Sequence, residues 1–513
     1  MKRLTIPLIA ALLAGCSMTP AYERPTAVVP PSWPVGDAYL RQSEASLPAV
    51  TFEQVFTAPG LRTLVGQALV NNRDLRIAAA NIRAARAQYR IQRADLFPQL
   101  DASARYSYRG TGSNGTTTIP STGGVGNGGT GTGGTGNGGT GTGGTIITSG
   151  RSPSSFSLDL GATAFELDLF GRIRSLTEAE QNRYFATEAG ARATRLTLVG
   201  DIAEAWASYG ADSSLMTVAE ATAASARRSV TLTRARLQGG IAPRTDLRQA
   251  EQILATAESD LAEQRTQLAQ DINALQLLVG APVDPALLPA SIDVALPTIA
   301  DLPAGIDSSI LLRRPDVVQA EYELLAANAD IGAARAALFP RLSLTGLVGF
   351  ASDALRTLFT GGAFNYSVAP SLSYPIFRAG AGRAGVAFSQ AQRDALLATY
   401  ERTIQSAFRD VADALARQGT IAEQTRAERA NLLAAQDTFR LTEARYRGGI
   451  DTFLTSLDAQ RSYYSAQRRL VATQLVAATN RVTLYRSLGG DSLLEAGPNG
   501  PVPVTPATSA PMR

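Results

Sequence analysis

The sequence predicts an α+β membrane protein in which several chains share one transmembrane β-barrel, four strands per chain, continued by a long coiled-coil α-barrel. Three observations point there. One unit is written twice along the chain. Each unit holds two segments that alternate apolar and polar residues over about ten positions, the period of a half-lipid-facing strand. Each unit then closes with a proline-free helical hairpin of unusual length.

Composition narrows the chemistry. Lys+Arg 48 against Asp+Glu 44 gives the 513-residue chain a net charge of +4, too balanced for nucleic acid to be its main partner. Hydrophobic residues at 45% against charged residues at 18% supply ample core. Histidine is absent, cysteine occurs once, and the sole lysine is Lys2. Without histidine there is no Ser-His-Asp triad, no Cys-His dyad and no imidazole zinc site. Without an internal lysine there is no P-loop and no Schiff base. Paired-carboxylate enzymes survive this filter and little else catalytic does.

Residues 1–15 read as a signal peptide: Lys2 and Arg3, an apolar run from Leu4 to Leu13, then small residues. That run is short of the ~20 residues a membrane helix needs. Leu13-Ala14-Gly15-Cys16 resembles a bacterial lipobox, in which the thiol takes a diacylglycerol and the new N-terminus an acyl chain such as palmitate. An ordinary signal peptide with a chance cysteine is the plainer alternative. Ser17, where inner-membrane lipoproteins carry aspartate, implies sorting to the outer membrane. Cleavage before Cys16 would lower the net charge to about +2. Residues 16–59 hold Pro20, Pro25, Pro30, Pro31, Pro34 and Pro48 and read as an extended, lipid-anchored strap.

The two copies follow, repeat one over 60–280 and repeat two over 315–490, joined by a linker at 281–314. Asp95-Leu96-Phe97-Pro98 recurs as Ala337-Leu338-Phe339-Pro340, an offset of 242. Arg236-Leu237-Gln238-Gly239-Gly240-Ile241 recurs as Arg445-Tyr446-Arg447-Gly448-Gly449-Ile450, an offset of 209. The difference is an insertion in copy one, visible as the duplicated glycine-rich decapeptide at 126–135 and 136–145. Each copy opens with an alanine-rich helical pattern, 60–95 and 315–337. Strands are expected at about 99–109, 155–168, 341–350 and 364–377, with an irregularity at Pro370, which cannot donate to a ladder. The segment 110–151 has no phosphate-loop context and reads as a flexible external loop, or one that partly occludes the mouth.

The hairpins span 172–279 and 380–488, turning at Gly239-Gly240 and Gly448-Gly449. Leu247, Leu254, Leu261, Leu268 and Leu275 fall seven apart, a coiled-coil seam, with Ala250 and Ala257 allowing close approach. The tail from 491 to 513 is expected to be disordered.

Four strands cannot close a barrel, and an open sheet edge cannot stand in lipid. Three chains would give twelve strands and a water-filled lumen; two would give eight strands filled by side chains. A soluble β-sandwich with coiled-coil arms is the bland alternative.

Several stretches, in order, resemble the TolC-like outer-membrane efflux duct family and most closely its OprM-like lipoprotein branch. They are Asn71-Asn72-Arg73-Asp74-Leu75, residues Tyr89 to Pro98, Glu166-Leu167-Asp168-Leu169-Phe170-Gly171-Arg172, Arg313-Arg314-Pro315-Asp316, Ile331 to Ala337, and Leu457 to Ser462. The likeness covers about residues 16–490. It implies a homotrimeric channel in the outer membrane with a long periplasmic extension, no cofactor beyond the lipid on Cys16, and no enzymatic activity. The implied partners are outer-membrane lipid, a periplasmic membrane-fusion adaptor and an inner-membrane resistance-nodulation-division transporter, together a multidrug efflux pump conferring antibiotic resistance.

The resemblance also assigns sites. Leu454, Asp458 and Arg461, one face of a helix at i, i+4 and i+7, match the periplasmic gate. Arg236, Gly240, Thr245, Leu247, Arg445, Tyr446, Gly449 and Leu457 match the adaptor-docking tips. No catalytic or metal residues are expected. The alternatives are the same duct serving metal-ion efflux or type I secretion, and a lipid-anchored carboxylate cell-wall hydrolase.

Overall fold

The computed structural model describes residues 18–25, 29–30, 34, 51–108, 154–296 and 308–504. Cys16, the glycine-rich segment and part of the linker lie outside the described residues. The helices are α1 (Pro59–Asn71), α2 (Arg73–Ala94), α3 (Arg172–Gln238), α4 (Arg244–Val279), α5 (Pro315–Ala336), α6 (Ala381–Arg447) and α7 (Phe453–Ser487). The strands are β1 (Asp101–Tyr108), β2 (Ser154–Leu167), β3 (Arg341–Ser352), β4 (Phe364–Ser373), β5 (Leu494–Gly497) and β6 (Gly500–Pro503). The order helix, strand, strand, long helix, shorter helix occurs twice. The long helices α3 and α6 are both 67 residues, about 100 Å at 1.5 Å per residue.

Two compact units divide the chain, and both draw on each copy. One gathers Ile91–Arg174 and Ala336–Gly380 and holds β1 to β4. They form one antiparallel sheet in the order β1-β2-β3-β4. Tyr106, Leu158, Leu160, Val348, Tyr366, Val368 and Leu372 stand exposed on its apolar face. On the polar face serines bond across the ladder: Ser107 to Ser155 and Ser343 to Ser371, each at 2.7 Å.

The irregularity lies in β2, not at Pro370 as expected. Pro370 sits opposite Leu344 in an unbroken register. Among the described strands β4 has a single neighbour, and its ladder with β3 runs through Pro370 without a shift. In β2 the register shifts between Ala162 and Phe165. Ala164 adopts φ 53, and its N–H donates to the Thr345 hydroxyl at 3.1 Å. The extra residue has a clear purpose in the sequence. Apolar residues run Phe156, Leu158, Leu160, Ala162 and then Phe165, Leu167, so one inserted residue keeps all of them on the same face. β4 stops at Ser373 rather than 377, just before Pro375.

The second unit gathers Met18–Arg90, Ser175–Arg335 and Ala381–Arg513. Its main core joins Leu61 and Leu64 of α1, Ile202 and Trp206 of α3, Leu275 of α4 and Tyr485 of α7. The linker is part of this core. Ile292 and Leu311 are fully buried, and the Trp206 indole donates to the Leu287 carbonyl at 3.0 Å.

Pseudo-equivalent contacts tie each copy's first helix to its last. The Asn72 amide donates to the Leu278 carbonyl at 2.8 Å, while its oxygen caps the N–H groups of Asp74 and Leu75. Arg314, 242 positions on from Asn72, donates at 2.7 Å to the carbonyl of Ser487, 209 positions on from Leu278.

Three leucines of the seam of sevens, Leu247, Leu261 and Leu275, are buried together with Ala250 and Ala257, while Leu254 and Leu268 are half-buried. Position 271 departs from the apolar rule, because Asp271 is buried there too.

The tail differs from the expected disorder as far as it is described. β5 and β6 form a hairpin, and Leu494 packs in a cluster with Phe185 and Tyr322. The Tyr322 hydroxyl donates to the Gly497 carbonyl at 2.8 Å, and the Gly497 N–H donates back at 3.0 Å. Proline and glycine there serve a tight turn. Residues 505–513 lie outside the described residues.

Candidate functional site: the hairpin tips

Both hairpins end in the same turn. The Ile241 N–H donates to the Arg236 carbonyl and the Gly240 N–H to the Leu237 carbonyl, each at 3.0 Å. In copy two the Ile450 N–H donates to Arg445 and the Gly449 N–H to Tyr446, at 2.9 and 3.0 Å. This pair of bonds satisfies the last carbonyls of each long helix and needs a left-handed residue. Gly240 and Gly449 supply it, both at φ +75, and a side chain added at either would meet nothing within 4 Å. The backbone therefore requires glycine there, and the tip stays open in front of it.

Behind the turns the two tips share a small core of Val230, Leu247, Ala250, Tyr446, Phe453 and Leu457. The Tyr446 and Phe453 rings lie 5.3 Å apart. Arg236 places its guanidinium 4.5 Å from the Tyr446 ring centre and donates to the Tyr446 and Arg447 carbonyls at 3.3 and 3.2 Å. Arg445 pairs with Asp451 across the turn at 2.7 Å, and that guanidinium holds the Asp451 carboxyl below the usual carboxylate range. A groove of about 300 Å³ opens beside this core, with Leu232, Phe439 and Leu457 apolar and Arg228, Arg236 and Arg447 basic.

Of the eight residues expected to dock a partner, Gly240, Gly449, Thr245 and Arg445 are exposed and Arg236 half-buried. Leu247, Tyr446 and Leu457 are buried. Each faces the neighbouring helices at the tip and fills its core, as the place of Leu247 in the seam of sevens leads one to expect.

Leu454, Asp458 and Arg461 project from one exposed face of α7, opposite the buried Phe453, Ser456, Leu457 and Gln460. Asp458 and Arg461 approach to 3.8 Å, and both side chains are more than 60% exposed, at 63% and 61%.

Two polar links between helices escaped the sequence reading. One turn beyond Arg461, the Tyr464 hydroxyl donates to Asp260 of α4 at 2.8 Å. Burial and this bond push the Tyr464 phenol up to about 12. Farther along, Asp212 of α3 shares a hydrogen bond with Asp271 of α4, whose other contact is the Gln267 amide at 3.2 Å. The only sign of the second link was an acid at position 271, in register with the leucine seam. Among the described residues no three acids cluster closely enough to hold a metal ion, and no helix is long and apolar enough to cross a membrane.

The model of the outer membrane efflux protein family matches residues 64–281 and 307–490, most of the chain. This chain belongs to that family. It is 41% identical over 491 residues to the antibiotic efflux pump outer membrane protein ArpC of Pseudomonas putida, covering 95% of each chain. It is equally similar, 41% over 491 residues, to the toluene efflux pump outer membrane protein TtgC of the same species, again 95% of each. The crystal structure of the open state of the MtrE outer membrane channel of Neisseria gonorrhoeae superposes with a TM-score of 0.76 at 33% identity, covering 93% of this chain and 98% of that one.

Proposed function

We propose that this chain is the outer-membrane channel of a tripartite multidrug efflux pump, receiving small molecules from a periplasmic adaptor and a resistance-nodulation-division transporter and releasing them outside. The observation that carries this reading is the four-stranded sheet. It has one exposed apolar face, one serine-lined polar face, and two outer strands with a single neighbour each. Lipid admits no such edges, so β1 and β4 pair with further copies. Three copies give twelve strands and a lumen wide enough for water.

Family membership supports the same reading, as do the efflux pumps named for the relatives. Antibiotics and toluene appear in the names of relatives of equal identity, which favours substrate choice lying in the pump rather than in the duct. The tips, with Gly240, Thr245, Arg445 and Gly449 exposed and Arg236 bridging the two turns, meet the adaptor. Leu454, Asp458 and Arg461, repeated by three-fold symmetry, form the periplasmic constriction. Cys16 carries the lipid that adds a second hold on the outer membrane, where acyl chains contribute ~0.8 kcal/mol per buried CH2.

Purified full-length protein should run as a trimer and give stable ion conductance in a planar bilayer. A protein that assembles but never conducts would overturn the channel. Deleting the gene should raise sensitivity to several unrelated drugs; sensitivity to metal ions alone would shift the cargo to the metal-efflux alternative.

A further inference from the structure

The first residues after the anchor region lie on α5 and run antiparallel to it. The Met18 carbonyl accepts from Arg335 at 3.4 Å, and the Thr19 hydroxyl meets Ser175 at 3.1 Å. The Pro20 carbonyl accepts from the Asn328 amide at 2.8 Å. Arg24 grips the buried Glu321 with two bonds, 2.7 and 2.9 Å. Residues 335, 328 and 321 step back along α5 by two helical turns at a time, so the segment tracks one stripe of the helix.

Gly332 sits where the strap presses closest. A Cβ built there would lie 2.3 Å from the Thr19 hydroxyl oxygen, 2.8 Å from the Thr19 Cα and 2.9 Å from the Ser175 hydroxyl. Those are distances side chains do not tolerate. The internal repeat supplies a comparison within the same chain. At the offset of 242, Gly332 corresponds to Arg90, Asn328 to Arg86 and Glu321 to Ala79. Helix α2 therefore lacks the gap, the amide donor and the carboxylate, and none of its residues is buried.

We propose that Gly332 is the seating residue for the N-terminal strap, and that its replacement by Arg90 in copy one confines the strap to α5. The seat fixes the register of the anchored end. Met18 is held beside Arg335, six residues before β3 begins. Cys16 is two residues from Met18, a span of ~7 Å at most. Were the strap unseated at Met18 and Thr19, its next bond to α5 would be that of the Pro20 carbonyl, four residues from Cys16, and the reach would grow to ~14 Å. The seat turns a loose tether into a close one at the strand-bearing end of α5. Only this consequence depends on lipidation of Cys16; the seat itself does not.

The test is disulfide trapping in full-length protein with Thr19→Cys and Ser175→Cys, oxidised and read by intact mass. The parent pair should cross-link. Adding Gly332→Ala, which favours helix over glycine and so leaves α5 formed, should cut the cross-linked fraction at least about fivefold, the factor that a modest weakening of the seat produces. Arg90→Ala, the change at the corresponding site of copy one, should leave it unaltered. A parent pair that does not cross-link overturns the seat. So does equal cross-linking with and without Gly332→Ala, or an equal drop from Arg90→Ala.

Discussion

The Arg236 guanidinium lies 4.5 Å from the centre of the Tyr446 ring, and its two carbonyl acceptors, on Tyr446 and Arg447, are the final residues of α6. One cation from the first hairpin thus satisfies the negative end of the second. Removing it should separate the tips without unfolding the helices. Arg236→Ala is expected to cost about 1–2 kcal/mol of stability, because the ring loses its cation and the helix end loses its donor. Arg236→Lys should recover less than half, because an ammonium cannot reach both carbonyls while lying flat on the ring. A double-mutant cycle with Tyr446→Leu checks the pairing; zero coupling energy would remove it.

Gly240 and Gly449 allow stability and docking to be separated. Any L-residue at φ +75 pays the left-handed penalty, about 1–2 kcal/mol. Since nothing stands within 4 Å of an added Cβ, alanine and leucine should destabilise the tip to a similar extent. They should differ only when a partner approaches. Gly449→Leu is expected to lose adaptor capture in a co-purification assay that Gly449→Ala retains. Equal capture by both, at equal stability, would mean the turn does not face the adaptor.

The sequence carried the elements further than the interfaces. Alternation placed the four strands because each has one face without protein neighbours and one lined with serines. Spacing by sevens placed the α4 seam because leucine and alanine there have no role except packing. The β2 bulge was also present in the sequence, as the slip from Leu158, Leu160 to Phe165, Leu167, but a slip of one residue is easily absorbed into a long strand. Burial of Tyr446 and Leu457 was hidden for a different reason. Their fate depends on where the tip of the other hairpin lies, about 200 residues away, and no local pattern encodes that. The β5–β6 hairpin was missed because proline and glycine suit a tight turn as well as they suit disorder.

The Asp212–Asp271 contact makes stability depend on pH. Burial first, then the hydrogen bond to Asp271 and its charge, push the Asp212 carboxyl up from 3.8 to about 7. A carboxyl whose folded-state value lies above its unfolded value favours the fold while protonated. That contribution is full below 3.8 and is lost as the pH rises through about 7. The melting temperature should therefore fall between about pH 4 and pH 7, where the unfolded chain has lost this proton and the folded chain still holds it. Asp271→Asn lets an amide donate to the Asp212 carboxylate and should flatten that slope. A slope identical to the parent's would assign the pH dependence to other groups.

The β2 bulge predicts a sharp difference between deleting one residue and deleting two. Ala164→Gly removes the strain at φ 53 and should be neutral or stabilising by about 1 kcal/mol. Deleting Ala164 alone leaves one residue between Ala162 and Phe165, so the ladder becomes regular and Phe165 and Leu167 keep the face of Leu158 and Leu160. Deleting Thr163 and Ala164 together makes Ala162 and Phe165 neighbours and turns Phe165 and Leu167 toward the polar face. The double deletion should abolish assembly in the membrane fraction, while the single deletion and the glycine variant assemble normally. Assembly of the double deletion would show that the phase of the apolar face does not govern insertion.

Asp458 and Arg461 are too exposed, and at 3.8 Å too distant, to matter for the stability of one chain; exposed pairs of this kind contribute about 0–1 kcal/mol. In the proposed trimer, any large effect of removing them comes from their repetition around the three-fold axis. Three carboxylates facing one another favour passing cations, and the neighbouring arginines offset part of that field. Asp458→Asn is therefore expected to lower the preference for cations in single-channel recordings, with the melting temperature unchanged. Arg461→Gln should shift selectivity the opposite way, because the carboxylates lose their counter-charge. Leu454→Ala, four residues before Asp458 on the same face, should raise conductance without altering selectivity, since it removes bulk and no charge. If Asp458→Asn and Arg461→Gln moved selectivity in the same direction, the two groups would not act as an opposed pair in the conducting path.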